Sequence, residues 1–322
     1  MSGPPTVGRY TNIHSESTLV SSSGLVIYPN LLPPKVQLAL LDKLLHRDLS
    51  NPDHQTNLHL HYDMPYPAPT PHPDDTTSPT SFFSPAAQHL PYPPKHSHAP
   101  LTTPRLLTKK LRWLTLGGQY DWTAKAYPAD PAPPPFPPDL KRLLDRAFPP
   151  MRAEAAIVNL YSPGDTLSVH RDVSEACAQP LVSISLGCEA VFVCGLDGEG
   201  DGDGDGEGEG EGEETTAEST SQSTSKTESE PTAQKQQSTR PQRRAVVPVK
   251  LRSGDAMVMR GPARWAWHGV PKVLAGTCPA WLRGWPAGAA GPGAEQEERF
   301  PGWEGWMAGK RVNLNVRQVF GG

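Results

Sequence analysis

The run Arg311-Val312-Asn313-Leu314-Asn315-Val316-Arg317 alternates strictly between polar and apolar residues. A period of two puts Val312, Leu314 and Val316 on one face of a strand, and Arg311, Asn313, Asn315 and Arg317 on the other. An ordinary half-solvated strand reads this way. So does a strand whose polar row lines a pocket. Guanidinium groups bind carboxylates bidentately, so two arginines flanking asparagines suit a planar ligand with a carboxylate at each end.

Working back along the chain, His170-Arg171-Asp172 places a histidine and a carboxylate two residues apart. In extended backbone such a pair points the same way and can reach one ion. A lone H-x-D is common on surface loops; it gains weight from its company. His268 stands within Trp265-Ala266-Trp267-His268-Gly269-Val270, after the strand-like Ala256-Met257-Val258-Met259. Two histidines and one carboxylate form the facial triad of non-haem Fe(II) oxygenases. His59-Leu60-His61 is a rival pair by spacing, but its only nearby carboxylate is Asp63, and a polar loop is the plainer reading.

Further strands are read at Gly24–Tyr28, Ala156–Leu160, Leu181–Leu186, Ala190–Val193 and Val246–Lys250. Pro33-Pro34 opens an amphipathic helix carrying Val36, Leu38, Leu40, Leu41, Leu44 and Leu45, since proline belongs in a first helical turn. A second short helix is read at Asp139–Phe148. Pro65–Pro104 reads as a long proline-rich loop, and residues 1–23 as a disordered tail. Residues 197–245 begin with alternating Asp/Gly and Glu/Gly and continue Ser/Thr/Gln-rich. They have few apolar groups with which to offset the entropy of ordering, and are expected to be a disordered insert within a hairpin. The repeated D-G-D-G lacks the terminal glutamate of an EF-hand loop. Residues 286–302 form a second, Gly/Ala/Pro-rich insert. Many short strands, few helices and parted ligands predict a mainly β protein with flanking helices: a jelly-roll core over 151–322, with an N-terminal α/β extension over 24–150.

The chain of 322 residues carries a net charge of −4, which argues against a polybasic, non-specific nucleic-acid binder. The acidic run near residue 200 masks the balance elsewhere, so a local basic groove stays open. Four cysteines (Cys177, Cys188, Cys194, Cys278) form no C-x-x-C pair and read as free thiols of a reducing compartment. No apolar run spans a membrane and residues 1–24 have no secretory h-region. The expectation is an intracellular monomer in cytoplasm or nucleus, with the mitochondrion left open.

Asn159-Leu160-Tyr161-Ser162-Pro163-Gly164, followed by His170-Arg171-Asp172, resembles the N-x-Y-x-x-G…H-x-D signature of AlkB-type Fe(II)/2-oxoglutarate-dependent dioxygenases. The run Arg311–Gln318 resembles the closing R-x-N-x-T-x-R strand of that family. Ser253-Gly254-Asp255 with His268-Gly269-Val270-Pro271 looks like the homologue-1 subgroup, and Gly24–Asp63 is similar to its fungal members.

The resemblance implies a double-stranded β-helix fold and a set of roles. His170, Asp172 and His268 would hold Fe(II). Arg311 and Arg317 would clamp the cosubstrate 2-oxoglutarate, helped by Asn159, Tyr161 and Asn313, with the assignment of each arginine to a carboxylate open. Trp122 and Tyr127 match the base-contacting loop, although core packing is an equal reading of the two aromatics. Arg264, four before His268, would face the substrate pocket. Ser174 stands where an acidic substrate-recognition residue occurs in the bacterial enzyme, and Asn315 replaces the usual Thr/Ser. The implied reaction consumes 2-oxoglutarate and O2 and removes an N-methyl group from adenine (N6 or N1) in RNA or DNA, releasing formaldehyde, succinate and CO2. Two alternatives remain at this level: a hydroxylase of protein side chains, and a non-catalytic nucleic-acid-binding module on the same fold.

Overall fold

In the computed structural model the described residues are 19–20, 24–67, 81–149, 151–196, 245–288 and 300–320. The chain forms strands β1 (Leu19–Val20), β2 (Leu25–Tyr28), β3 (Trp113–Gly117), β4 (Ala155–Tyr161), β5 (Leu167–His170) and β6 (Leu181–Gly187), of which β1 falls within the stretch expected to be a disordered tail, and β3 and β5 are strands that the sequence reading does not anticipate. They continue with β7 (Ala190–Leu196), β8 (Ala245–Leu251), β9 (Ala256–Met259), β10 (Trp267–Val273) and β11 (Arg311–Arg317). One sheet has seven strands in the order β1-β2-β9-β6-β11-β4-β3, and the other four in the order β5-β10-β7-β8. From β4 onward the chain crosses repeatedly between the sheets. That winding is the double-stranded β-helix, or jelly roll, of the expected core. β2 and β3, from the region 24–150, belong to the same large sheet as the core strands.

β11 lies inside the large sheet, antiparallel to β4 through all seven residues and to β6 through six. Both of its edges are therefore paired. Both faces are covered as well: Val312, Leu314 and Val316 are fully buried, and opposite them Arg311, Asn313 and Arg317 are buried while Asn315 is half-buried. Partners across antiparallel strands share a face, so the register builds cross-strand rows. Trp113, Asn159, Asn313 and Ser185 form one row; Tyr161, Arg311 and Gly187 form another.

The helix opened by the prolines spans Pro34–Asp42 and continues as a wider turn over Lys43–Asp48, burying Leu40, Leu41, Leu44 and Leu45. The second helix spans Pro138–Ala147 and buries Leu140 and Leu144, one turn apart. The described part of the proline-rich stretch is more ordered than a long loop. Phe82 and Phe83 are fully buried, and Pro85–His89 forms a 3-10 turn capped by Ser84. The Phe83 ring meets Trp303 and Trp306 at centroid distances of 5.2 Å and Trp285 at 5.6 Å. The apolar payload of these rings outweighs the proline-rich composition around them. Both ends of the second insert are likewise described, with Trp285 and Ala287 buried on one side and Phe300 packed against the core on the other. Residues 1–18, 68–80, 197–244 and 289–299, where the tail and insert expectations fall, lie outside the described residues. The strands that flank the acidic insert, β7 and β8, are neighbours in one sheet, as a hairpin requires.

Candidate metal and cosubstrate site

β5 and β10 run antiparallel, and His170 and His268 are direct partners across them. Gly269 permits the approach: a Cβ there would lie 2.9 Å from the Leu167 carbonyl oxygen. The two imidazoles stand with centroids 4.5 Å apart. Asp172 follows β5, with Oδ1 at 3.8 Å from His170 Nε2 and Oδ2 at 3.9 Å from His268 Nε2. One ligand atom from each residue lies within 4.8 Å of the others, and no other such trio of His, Cys, Asp or Glu occurs among the described residues. His170 Nδ1 and His268 Nδ1 lie at 2.9 and 3.0 Å from the Ser168 and Ala266 carbonyl oxygens. A carbonyl accepts only from N–H, so these contacts fix the tautomer and leave both Nε2 lone pairs for a metal. Burial holds His268 below its ordinary pKa, which favours the neutral, ligating form. Burial also pushes the Asp172 carboxyl upward, but Arg317, the two histidines and Arg264 overcome it and hold the carboxyl below its usual range. The donor set is that of a facial triad for Fe(II).

The two arginines of β11 differ in their surroundings. Arg317 Nη1 donates to Glu175 Oε1 at 2.9 Å, and Nη2 to Asp172 Oδ2 at 3.4 Å. Arg311 is fully buried, and one nitrogen, Nη2, donates to Ser185 Oγ at 3.1 Å. Its Nε and Nη1, and the hydroxyl of Tyr161 in the same cross-strand row, have no hydrogen-bond partner among the described residues. Burial drives the Arg311 guanidinium down to about 10. An under-neutralised buried cation with idle donors is costly unless an anion completes it. The chemistry of these orphaned groups fits one carboxylate of a dicarboxylate. Asn313 Nδ2 is already committed to Ser183 Oγ at 2.8 Å and to the Ile184 carbonyl at 3.0 Å. Asn159 pairs with Asn313 in register. A cavity lined by Asp172, His268, Arg311, Asn313, Asn315 and Arg317 joins the metal ligands to the arginine row.

The structure separates the expected substrate residues. Trp122 is 45% exposed, on the turn closed by Asp121 and Ala126. Its ring meets Tyr120 edge-on at 4.8 Å, and the Tyr120 hydroxyl is 3.3 Å from Ser174 Oγ, two residues beyond Asp172. Tyr127 is buried beneath, packed with Ala155 and Val319. Arg264 does not face the pocket as expected: its guanidinium is buried and its nitrogens are committed inward. Nη2 donates to Glu175 Oε2 at 2.8 Å, Nη1 to the Asp172 carbonyl at 2.5 Å, and Nε to the Gln179 carbonyl at 3.0 Å. Sequence reasoning gave Glu175 no role, yet its buried carboxylate joins Arg264 to Arg317. No local signal marks it, since Arg264 and Arg317 lie 89 and 142 residues further along the chain. His59 is occupied structurally, in a capping box with Thr56 and 2.9 Å from the Tyr66 hydroxyl.

Fold, triad and arginine row together define a metal-dependent oxygenase, and the chain belongs to the 2OG-Fe(II) oxygenase superfamily, whose profile it matches over residues 24–317. It is an AlkB-type member with relatives of the homologue-1 kind. It is 43% identical over 310 residues to the N6-methyladenosine RNA demethylase ALKB1 of Pyricularia oryzae, covering 92% of this chain and 74% of that one. It is 42% identical over 265 residues to the N6-methyladenosine RNA demethylase ALKBH of Cryphonectria parasitica, covering 81% and 99% respectively. It is 32% identical over 303 residues to the tRNA demethylase abh1 of Schizosaccharomyces pombe, covering 92% and 79%.

Proposed function

We propose that this chain removes the methyl group of N-methyladenine in RNA, with N6-methyladenine as the preferred base. The observation that carries the reading is the exposed Trp122, linked through Tyr120 and Ser174 to the loop that supplies Asp172. An aromatic platform beside a facial triad is what oxidation of a flipped base needs. The RNA demethylases among the relatives support the same substrate class.

Fe(II) held by His170, Asp172 and His268 would supply the oxidising chemistry, consuming 2-oxoglutarate and O2 to turn an N-methyl into an N-hydroxymethyl group that releases formaldehyde. This chain's residues do the rest. Arg311 and Tyr161, whose buried polar atoms lack partners among the described residues, would receive one carboxylate of 2-oxoglutarate. Arg317 stands beside Asp172, at the metal end, where it holds that ligand and can meet the other carboxylate. Glu175 and Arg264 fix the backbone and side chain of the loop that carries Asp172. Trp122 presents a face on which the base stacks.

We propose that the protein acts inside the cell as a monomer, in cytoplasm or nucleus, with the mitochondrion left open. The test is a panel of RNA and DNA oligonucleotides carrying one N6- or N1-methyladenine, scored by loss of a methyl group in mass spectrometry. N6-methyladenine RNA should be demethylated fastest. Equal inertness of the whole panel, with a peptide hydroxylated instead, would replace this reading with that of a protein hydroxylase.

A further inference from the structure

We propose that the segment entering β3 forms a track for a single RNA strand, in which Trp113 joins Trp122 as a second stacking ring and Lys109, Lys110 and Arg112 hold the phosphates beside it. The proposal rests on the demethylase reading above and adds the path of the strand.

β3 closes the seven-stranded sheet at one edge, and Trp113 is its first residue. The register puts Trp113 in one row with Asn159 and Asn313, hence on the face that carries the cosubstrate pocket. Its ring is half-buried and lies 5.0 Å from that of Trp122 at an interplanar angle of 35°. Two indoles in tilted contact, one of them exposed, make a continuous aromatic surface that reaches solvent at Trp122. Such surfaces take unpaired bases regardless of sequence.

The cations lie on the residues just before Trp113. Asn57 pins their backbone, donating to the Lys110 carbonyl at 2.8 Å and accepting from the Arg112 N–H at 2.9 Å. Arg112 is half-exposed and braced by Asp165. Lys109 and Lys110 are exposed and pair with no carboxylate among the described residues, so their charge stays available. Their field reaches other groups. The Lys310 ammonium is driven down to about 8, chiefly by burial and further by Arg112 and Lys109. Burial first, then His98, His96 and Lys110, lowers His61. The overall charge hides this patch: of 34 acidic residues 13 stand within 197–244, with 5 of the 30 lysines and arginines, so the remainder carries a net +4. Exposed cations on a pinned backbone beside two contacting indoles complement a phosphodiester strand with its bases turned inward.

The test is fluorescence anisotropy of the full chain with short labelled single-stranded RNA, unmethylated or carrying one N6-methyladenine. Lys109→Gln/Lys110→Gln should weaken both RNAs and lower the slope of log affinity against log salt by about 1.4, at about 0.7 per phosphate contact. The control Lys35→Gln/Arg142→Gln, which removes two exposed cations elsewhere, should leave that slope unchanged. Trp113→Leu should cost roughly 5- to 150-fold in affinity, the range of one lost stack, and Trp113→Tyr should recover part of it. Thermal melting of the Lys109/Lys110 and Trp113 variants at the parent's temperature shows that what is lost is RNA affinity and not the fold. An unchanged salt slope in the Lys109/Lys110 variant, or equally tight binding of duplex RNA, would overturn the track. Failure of the demethylase reading is distinguishable: methylated RNA would then release no formaldehyde while the variants still lost RNA affinity.

Discussion

Arg311 and Arg317 stand at the two ends of β11, and Arg317 alone of the pair is ion-paired to carboxylates among the described residues. Arg317 is shared between Asp172 and Glu175, whereas Arg311 keeps two idle nitrogens in a fully buried setting. The strand thus offers one arginine to the metal loop and another to an incoming anion.

Arg311→Lys should therefore raise the KM for 2-oxoglutarate by roughly 10- to 150-fold, the range of a charge-assisted hydrogen bond at about 1.5–3 kcal/mol. Lysine keeps the charge but loses the fork. RNA affinity should not move. A KM within experimental error of the parent would remove Arg311 from the cosubstrate site.

Asp172→Ala should abolish turnover while the chain stays folded, because one of three protein ligands is lost. Titration with Co(II), followed by its absorption bands, should show no tight site. Retained tight metal binding would point to ligands other than His170, Asp172 and His268.

Glu175→Gln should destabilise the protein by about 3 kcal/mol or more, since it removes the charge that two buried arginines share. Thermal melting of the metal-free chain checks this. A melting temperature equal to the parent's would mean that Arg264 and Arg317 find other partners at no cost.

Lys310 predicts a pH effect on stability. Its Nζ donates to the Thr108 carbonyl at 2.7 Å and to Ser162 Oγ at 2.8 Å, but burial still holds it down to about 8. A lysine whose folded pKa is depressed is disfavoured in its charged form by folding. That cost is present below about pH 8 and is relieved as pH rises toward the unfolded value of about 10.4. Relative to Lys310→Met, the parent should gain stability across that window. A parallel pair of stability curves would contradict it.

Much of this was legible in the sequence, for physical reasons. β11 announced itself because a period of two survives at single-residue resolution, although alternation alone did not show that both its faces would be covered. The triad was legible once the signature residues fell into place around His170 and Asp172. Glu175 was not, because its partners lie 89 and 142 residues away and nothing local marks a carboxylate as buried. Arg264 was placed by its spacing from His268, and spacing did not reveal that Glu175 would draw its guanidinium inward. Phe82 and Phe83 were masked by the prolines around them, and their partners Trp285, Trp303 and Trp306 come from the far end of the chain. The pairing of Trp113 with Trp122 depends on a turn whose direction composition does not specify.

The most direct measurement is product stoichiometry. The chain is supplied with Fe(II), 2-oxoglutarate and O2, together with a single-stranded RNA carrying one N6-methyladenine, and formaldehyde and succinate are counted together. Coupled demethylation at the His170–Asp172–His268 site predicts the two products in about equal amounts, with both lost in Asp172→Ala. Succinate formed without formaldehyde in the presence of methylated RNA, or formaldehyde that persists in Asp172→Ala, would contradict it.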